Sequence, residues 1–247
     1  MKVALAVNYV TSDFTINCSN ILNQIEECSN DTDLILFPEA AITGLINNDD
    51  PAHDFLLGIE IPGEFTDILS SLAKKRKKYI GIGVLEKADY RLYDTAILIS
   101  PFGDIVLKYR RITPGWHGKK TDPSIYREGD DIPVVETVFG KLAFLICGDL
   151  FDDEILKKVR NLKLDYLLFP FARSFEGNVY SRSLWDKEKK KYIARVELLK
   201  TTTLMVNYLA SPEIEDGSFG GAMVVSPNGA IIAEMPIGKS GVLKVAI

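Results

Sequence analysis

The chain has 247 residues, of which 47% are hydrophobic and 26% charged, with a formal net charge of −5. That length can bury a substantial core, and the acidic balance argues against a nucleic-acid partner, which would require a basic face. No stretch approaches the ~18 consecutive apolar residues of a membrane span, and three cysteines suit a reducing, cytoplasmic setting.

The opening MKVALAVNYV has a short apolar run broken by Asn8 and Tyr9, with no small-residue cleavage site after it. It reads as a first β-strand over Val3 to Val7 rather than a signal peptide. Ile16 to Glu27 is amphipathic, with Ile21, Leu22 and Ile25 on one face. Cys18 and Cys28 on this helix would lie about 15 Å apart, too far for a disulfide. Leu34 to Phe37 is an apolar strand stopped by Pro38. A helix is expected from Gly63 to Lys78, where KKRKK at 74–78 reads as a solvated, cation-rich last turn. Tyr79 to Val84 is a strand, and Thr95–Ile99 and Ile105–Arg111 flank the turn SPFGD as a hairpin.

Thr113 to Pro133 is rich in Gly, Pro, Asp and Lys and reads as a long irregular loop, of a length that is often functional. Strands follow at Val134–Val138 and Lys141–Ile146. Asp152 or Asp153 caps a helix that turns Ile155, Leu156, Val159 and Leu162 inward. Leu167–Phe169 is a strand, Leu184–Leu199 a helix, and Leu204–Leu209, Gly221–Val225, Ile231–Met235 and Val242–Val245 are closing strands. No linker divides the chain, so residues 1–247 read as one domain. The string DLILFPEA at 33–40 is echoed by DYLLFPFA at 165–172. Two sheets, each coated by helices on one face and packed together on the other, account for the near-continuous apolar runs.

Three positions at strand ends can carry chemistry. Glu39 follows a buried strand and a proline, where desolvation raises a carboxyl pKa toward that of a general base. A first-turn helix glutamate fits the same position. Cys147, in LICGDL, leaves a strand for a Gly-Asp turn ahead of a helix, a setting that can activate a thiol. A small buried core residue is the competing reading. In IVLKYRR, alternation puts Ile105, Leu107, Tyr109 and Arg111 on one face and Lys108 and Arg110 on the other, so Arg111 ends an apolar face as an oxyanion-binding candidate. Gatekeeping of an edge strand is the alternative. His53 and His117 are rival bases for Cys147, both in loop-like sequence. With these two histidines far apart, no metal site is expected.

FPEAAITG, KYRRITPGW and LICGDLFDDE, in that order, resemble the nitrilase superfamily of carbon–nitrogen hydrolases, especially its amidase branches. The resemblance extends over nearly the whole chain, through GIGVLE, LDYLLFP, a region from Trp185 to Arg195, and GGAMVVSPNG. It implies a four-layer α-β-β-α sandwich of two mixed sheets. It also implies a small-molecule amide or nitrile substrate, no cofactor, no membrane partner, and a homodimer or higher homo-oligomer. The implied chemistry is attack by Cys147 after loss of its proton to Glu39, oxyanion stabilisation by a cation, and hydrolysis of a thioester. Two departures stand out. Arg111 occupies the position of the family lysine, and arginine keeps the charge but not the proton-shuttling capacity. The second family glutamate has no counterpart between Ile112 and Arg127, where Asp122 and Glu128 are the nearest acids. A hydrolase of small linear amides with Arg111 in the oxyanion role is the expectation. A weakened homologue that binds a carboxylate or amide without efficient turnover, and a purely structural module, are the alternatives.

Overall fold

The computed structural model describes residues 1–175, 181–214 and 217–247. The first half runs β1 (Lys2–Val7), β2 (Tyr9–Val10), α1 (Phe14–Glu27), β3 (Leu34–Leu36), α2 (Pro51–Leu57), α3 (Glu64–Arg76), β4 (Tyr79–Ala88), β5 (Arg91–Ile99) and β6 (Ile105–Arg110). The second half runs β7 (Val135–Thr137), β8 (Gly140–Phe144), a 3-10 turn (Cys147–Phe151), α4 (Asp153–Leu162), β9 (Tyr166–Phe171), α5 (Arg182–Leu199), β10 (Thr202–Asn207), β11 (Leu209–Ala210), β12 (Ala222–Val225), β13 (Ile231–Met235) and β14 (Gly241–Ala246).

The chain builds two sheets on one plan, with the last strand, β14, returning to edge the first. One six-stranded sheet has the order β14-β1-β3-β4-β5-β6, and the other reads β7-β8-β9-β10-β12-β13. In each, the second to fourth strands are parallel and the remaining neighbours antiparallel. The parallel strands are joined by helical crossovers, which cover one face of the sheet and leave the other for its partner. Val3, Leu5, Leu34, Leu36 and Leu98 of the first sheet share one apolar cluster with Phe144, Leu168 and Met205 of the second. The alternate side chains Ala4, Ala6, Ile35 and Phe37 pack outward against Ile21 and Ile25 of α1 and Leu69 and Ala73 of α3. On the far side, Ile155 and Val159 of α4 and Val196 and Leu199 of α5 close the second sheet. The layers are therefore α-β-β-α, as the alternating pattern requires. The short parallel pair of β2 and β11 links the two halves beyond the ends of β1 and β10.

The echoed strings occupy equivalent places, since β3 and β9 are each the central strand of a parallel triplet. Even the leading aspartates repeat one device. The backbone N–H of Asp33 donates to Lys2 O at 2.8 Å while its carboxylate accepts from Lys2 N at 2.7 Å. Asp165 does the same with Lys141, at 3.0 and 2.8 Å.

The structure corrects the sequence reading in three places. NDDPAHDF is not loop throughout: Asp50 caps Ala52 N–H and Pro51 opens the seven-residue helix α2. The KKRKK cations are not all solvated. Lys78 is fully buried, its Nζ donating to Ser29 O at 2.8 Å and Cys28 O at 3.4 Å. Strands β4, β5 and β9 run longer than the apolar runs suggested. The loop from Thr113 to Pro133 is irregular but anchored, with Trp116 and Tyr126 buried against Leu85 and Leu92.

Candidate active site

Past β3, the chain keeps pairing with β4 instead of turning away. Phe37 N–H donates to Gly81 O, Gly83 N–H to Pro38 O and Ala41 N–H to Gly83 O, at 2.8, 2.9 and 2.9 Å. The crossing needs a glycine, because a Cβ on Gly83 would stand 2.5 Å from the Cα of Glu39. The result is a fully buried Glu39 aimed between the two sheets.

Arg111 reaches Glu39 from the end of β6. Its backbone N–H donates to Asp94 O at 2.8 Å, so the strand pairing with β5 continues through it. The guanidinium is 5% exposed, with Nη1 donating to Glu39 Oε1 at 3.0 Å and to Asp94 Oδ2 at 3.4 Å. Nε donates to Thr113 Oγ1 at 3.2 Å. Burial opposes the Arg111 charge, but Glu39, Cys147, Asp94 and Asp149 together raise its pKa above the usual arginine value. Burial also pushes Glu39 from its usual 4.5 up to about 8, with the charge of Cys147 acting the same way and Arg111 opposing both. A carboxyl poised near neutrality suits a general base.

Cys147 begins the 3-10 turn after β8 with φ of +44°, a left-handed conformation rare for a residue with a side chain. It is half-buried, and Sγ lies 3.5 Å from Ala172 O. Cys147 stands close enough to Glu39 and Arg111 for its charge to act on both. Outward from Cys147 opens a cavity of about 310 Å³ walled by Gly148, Phe151, Arg173, Glu188 and Tyr192. The other cysteines differ. Cys28 is buried, and burial pushes the Cys18 thiol up to about 11.

Asp149 fastens the turn to the strand that carries Arg111. Its Oδ1 accepts from Thr113 N and Thr113 Oγ1, each at 2.8 Å, and from Ile112 N at 3.3 Å. Its Oδ2 accepts from Tyr109 Oη at 2.6 Å and Ile146 N at 3.1 Å. Gly148 allows close approach, since a Cβ there would sit 2.6 Å from Arg111 Nη2. From α5, Arg195 Nε donates to Leu150 O at 2.8 Å, bracing the turn from behind. Phe171, the counterpart of Glu39, stacks on Phe169 and packs against Tyr192, with ring centroids 5.5 and 5.4 Å apart. It forms an aromatic wall.

The structure thus brings Glu39, Arg111 and Cys147 together. Lys108 is excluded: it turns to the opposite face and pairs with Glu86 at 2.9 Å, as does Arg110 at 2.7 Å. The histidines are spoken for elsewhere. His53 Nδ1 lies 2.8 Å from Asp54 on α2, and His117 Nε2 lies 2.9 Å from Glu128. Glu128 is thus engaged by His117, and Asp122 is an exposed cap for Ser124. Glu154 is exposed on the first turn of α4. The acid beside Glu39 is Asp94, which sequence reasoning missed. The available signal was a carboxylate inside the otherwise apolar strand LYDTAILI.

Two six-stranded sheets, helix-coated and facing each other over this site, define a nitrilase-type α/β sandwich. The chain belongs to the carbon–nitrogen hydrolase family, whose model matches residues 2–247. It is 28% identical over 234 residues to a probable nitrilase of Schizosaccharomyces pombe, covering 93% of this chain and 80% of that protein. Nitrilase 2 of Arabidopsis thaliana is 32% identical over 142 residues, 51% of this chain, and the matched stretch spans only 41% of that longer protein. Among solved structures, a mutant of the amidase from Nesterenkonia sp. AN1, with acrylamide added at its active-site cysteine, superposes with a TM-score of 0.82. That pair is 19% identical and covers 100% of this chain and 93% of the amidase chain.

Proposed function

We propose that this protein hydrolyses a small linear amide or nitrile, with Cys147 as nucleophile, Glu39 as general base and Arg111 as oxyanion stabiliser. The observation that carries the reading is the buried Glu39–Arg111 pair at 3.0 Å, set beside a cysteine at a cavity floor. For an amide, Glu39 takes the Cys147 proton, Sγ bonds to the carbonyl carbon, and the C=O π pair moves onto oxygen. Arg111 faces that charge. Collapse of the tetrahedral species breaks the C–N bond, and the proton on Glu39 leaves with the amine. Glu39 then takes a proton from water, whose oxygen attacks the thioester. The C–S bond breaks, and the thiolate regains the proton. Protonation of Glu39 removes the partner that held Arg111, so its charge becomes available as the oxyanion forms. The family and its amidase and nitrilase members support this class of bond.

Cys147→Ala abolishes ammonia release from a panel of small amides, and intact mass finds acyl or acrylamide adducts on the wild type but not on the variant. Absence of both turnover and adduct across the panel sinks the reading. A second reading has a specific observation behind it. Arg111 stands where the family resemblance implies a lysine and is held by two carboxyl groups, which suits a weakened enzyme that binds without efficient turnover. Arg111→Lys separates the two, since a large gain in rate marks a crippled site and a loss marks a tuned one. The reading includes a cytoplasmic homodimer or higher homo-oligomer, for which light scattering of the purified protein is the test of assembly.

A further inference from the structure

We propose that Asp94 is the second carboxyl of this site, a positioning residue that holds a proton and donates it in a hydrogen bond to Glu39, so that the two acids share the single cation Arg111. The inference rests on the reading of Glu39 as the base for Cys147.

The geometry comes first. Asp94 lies in β5 directly opposite Arg111, joined to it through the backbone at 2.8 Å, so its position is fixed by the sheet rather than by a flexible loop. Its side chain is 3% exposed, and its Oδ2 is 3.4 Å from the same Nη1 that donates to Glu39. Arg111 is therefore shared. Of the Glu39 oxygens, Oε1 takes the arginine, while Oε2 is buried and has no hydrogen-bond partner among the described residues. Beyond Asp94 a small cavity is walled mainly by Ala40, Leu45, Leu57, Leu85 and Trp116, none of which carries a charge.

Charge balance then decides the protonation. Two buried carboxylates against one guanidinium leave an uncompensated negative charge, a costly state away from water. A proton on one of them removes it, as in paired carboxyls that cannot both ionise. The groups facing Asp94 are Glu39, Arg111, Asp149 and Tyr109, and Cys147 faces Glu39. Burial first, and then the charge of Glu39, hold Asp94 well above the usual carboxylate range. Arg111 Nη1 stands nearer Glu39 Oε1, at 3.0 Å, than Asp94 Oδ2, at 3.4 Å, which favours the charge on Glu39 and the proton on Asp94. The shared proton therefore resides on Asp94, and Glu39 is the partner left free to accept the thiol proton. This carboxyl comes from β5, not from the segment after Arg111, where Asp122 and Glu128 are engaged elsewhere.

The test does not need the natural substrate. The rate of acrylamide addition to Cys147, read by intact mass across pH, is compared for wild type, E39Q, D94N and D94A. D94A is expected to move the alkaline-rising limb up by about one pH unit, roughly tenfold slower addition at the wild-type midpoint. D94N keeps an N–H donor and restores the limb toward wild type. A downward shift in D94N means that Asp94 acts as an ion, and D94A coinciding with wild type means that the acids are uncoupled. Either result overturns the proposal. Should D94A fail to fold, infrared difference spectra of wild type against D94N at pH 9 decide the question. A protonated-carboxyl band lost in D94N and kept in E39Q supports the proposal, and its absence from the wild type overturns it. If E39Q leaves the wild-type profile unchanged, the base assignment itself fails, separately from the fate of Asp94.

Discussion

At the scale of single residues, the site is a problem in electrostatics away from water. Glu39 is fully buried, and burial lifts it to about 8. As an acceptor it works ionised, so kcat/KM on any turned-over amide should climb with pH toward a limb near 8. Glu39→Gln should cost about 10²–10⁴-fold in rate and flatten that limb. A pH profile of initial rates checks both, and an unshifted limb in the variant refutes the assignment. Asp149 has a different task. Its carboxyl accepts five hydrogen bonds from Tyr109, Ile112, Thr113 and Ile146. Asp149→Ala should strand those donors and lower stability by roughly 2–4 kcal/mol, since each buried unpaired donor carries a desolvation penalty. Denaturant unfolding measures it.

At the scale of elements, two glycines set how closely strands can deliver these side chains. An alanine at Gly148 would place Cβ 2.6 Å from Arg111 Nη2 and 2.8 Å from Thr113 Oγ1. The arginine must yield, so Gly148→Ala should lower kcat/KM by about 10²-fold, as a misplaced group of this kind does, while circular dichroism stays native. Much of the element pattern was legible beforehand. The LFP stops, the Asp152 cap and the alternation in IVLKYRR located β3, α4 and Arg111, because burial and capping leave local marks. Three things were not. Helix α2 is too short to show a periodic stripe, so its Asp50-Pro51 start went unread. Lys78 looks like a surface charge until the α1 terminus supplies its carbonyls. Asp94 becomes meaningful only when β3, β5 and β6 converge, a relation among residues 39, 94 and 111 that no local window contains.

At the scale of the whole molecule, the raised carboxyl enters the stability of the fold. Glu39 has a folded pKa of about 8 against an ordinary value of 4.5, so the native state binds more protons than the unfolded chain between those limits. The contribution of this one group to stability therefore falls as pH rises from about 4.5 to about 8, and is flat on either side. The penalty is on the order of a few kcal/mol, and Glu39→Gln should remove it. Thermal midpoints of wild type and variant at pH 5 and pH 8 are expected to diverge, with the variant gaining at the higher pH. The repeated sheets cast this in another light. β3 and β9 follow one plan down to the aspartate that clamps each entry, yet the position that holds Glu39 in the first string holds Phe171 in the second. Arg111 lies at the end of β6, against Glu39. At the matching position of the other sheet, Phe171 lies among Phe169 and Tyr192. The duplicated scaffold is symmetric in backbone and asymmetric in charge: where one sheet sets an acid against Arg111, the other sets a phenyl ring among aromatic neighbours.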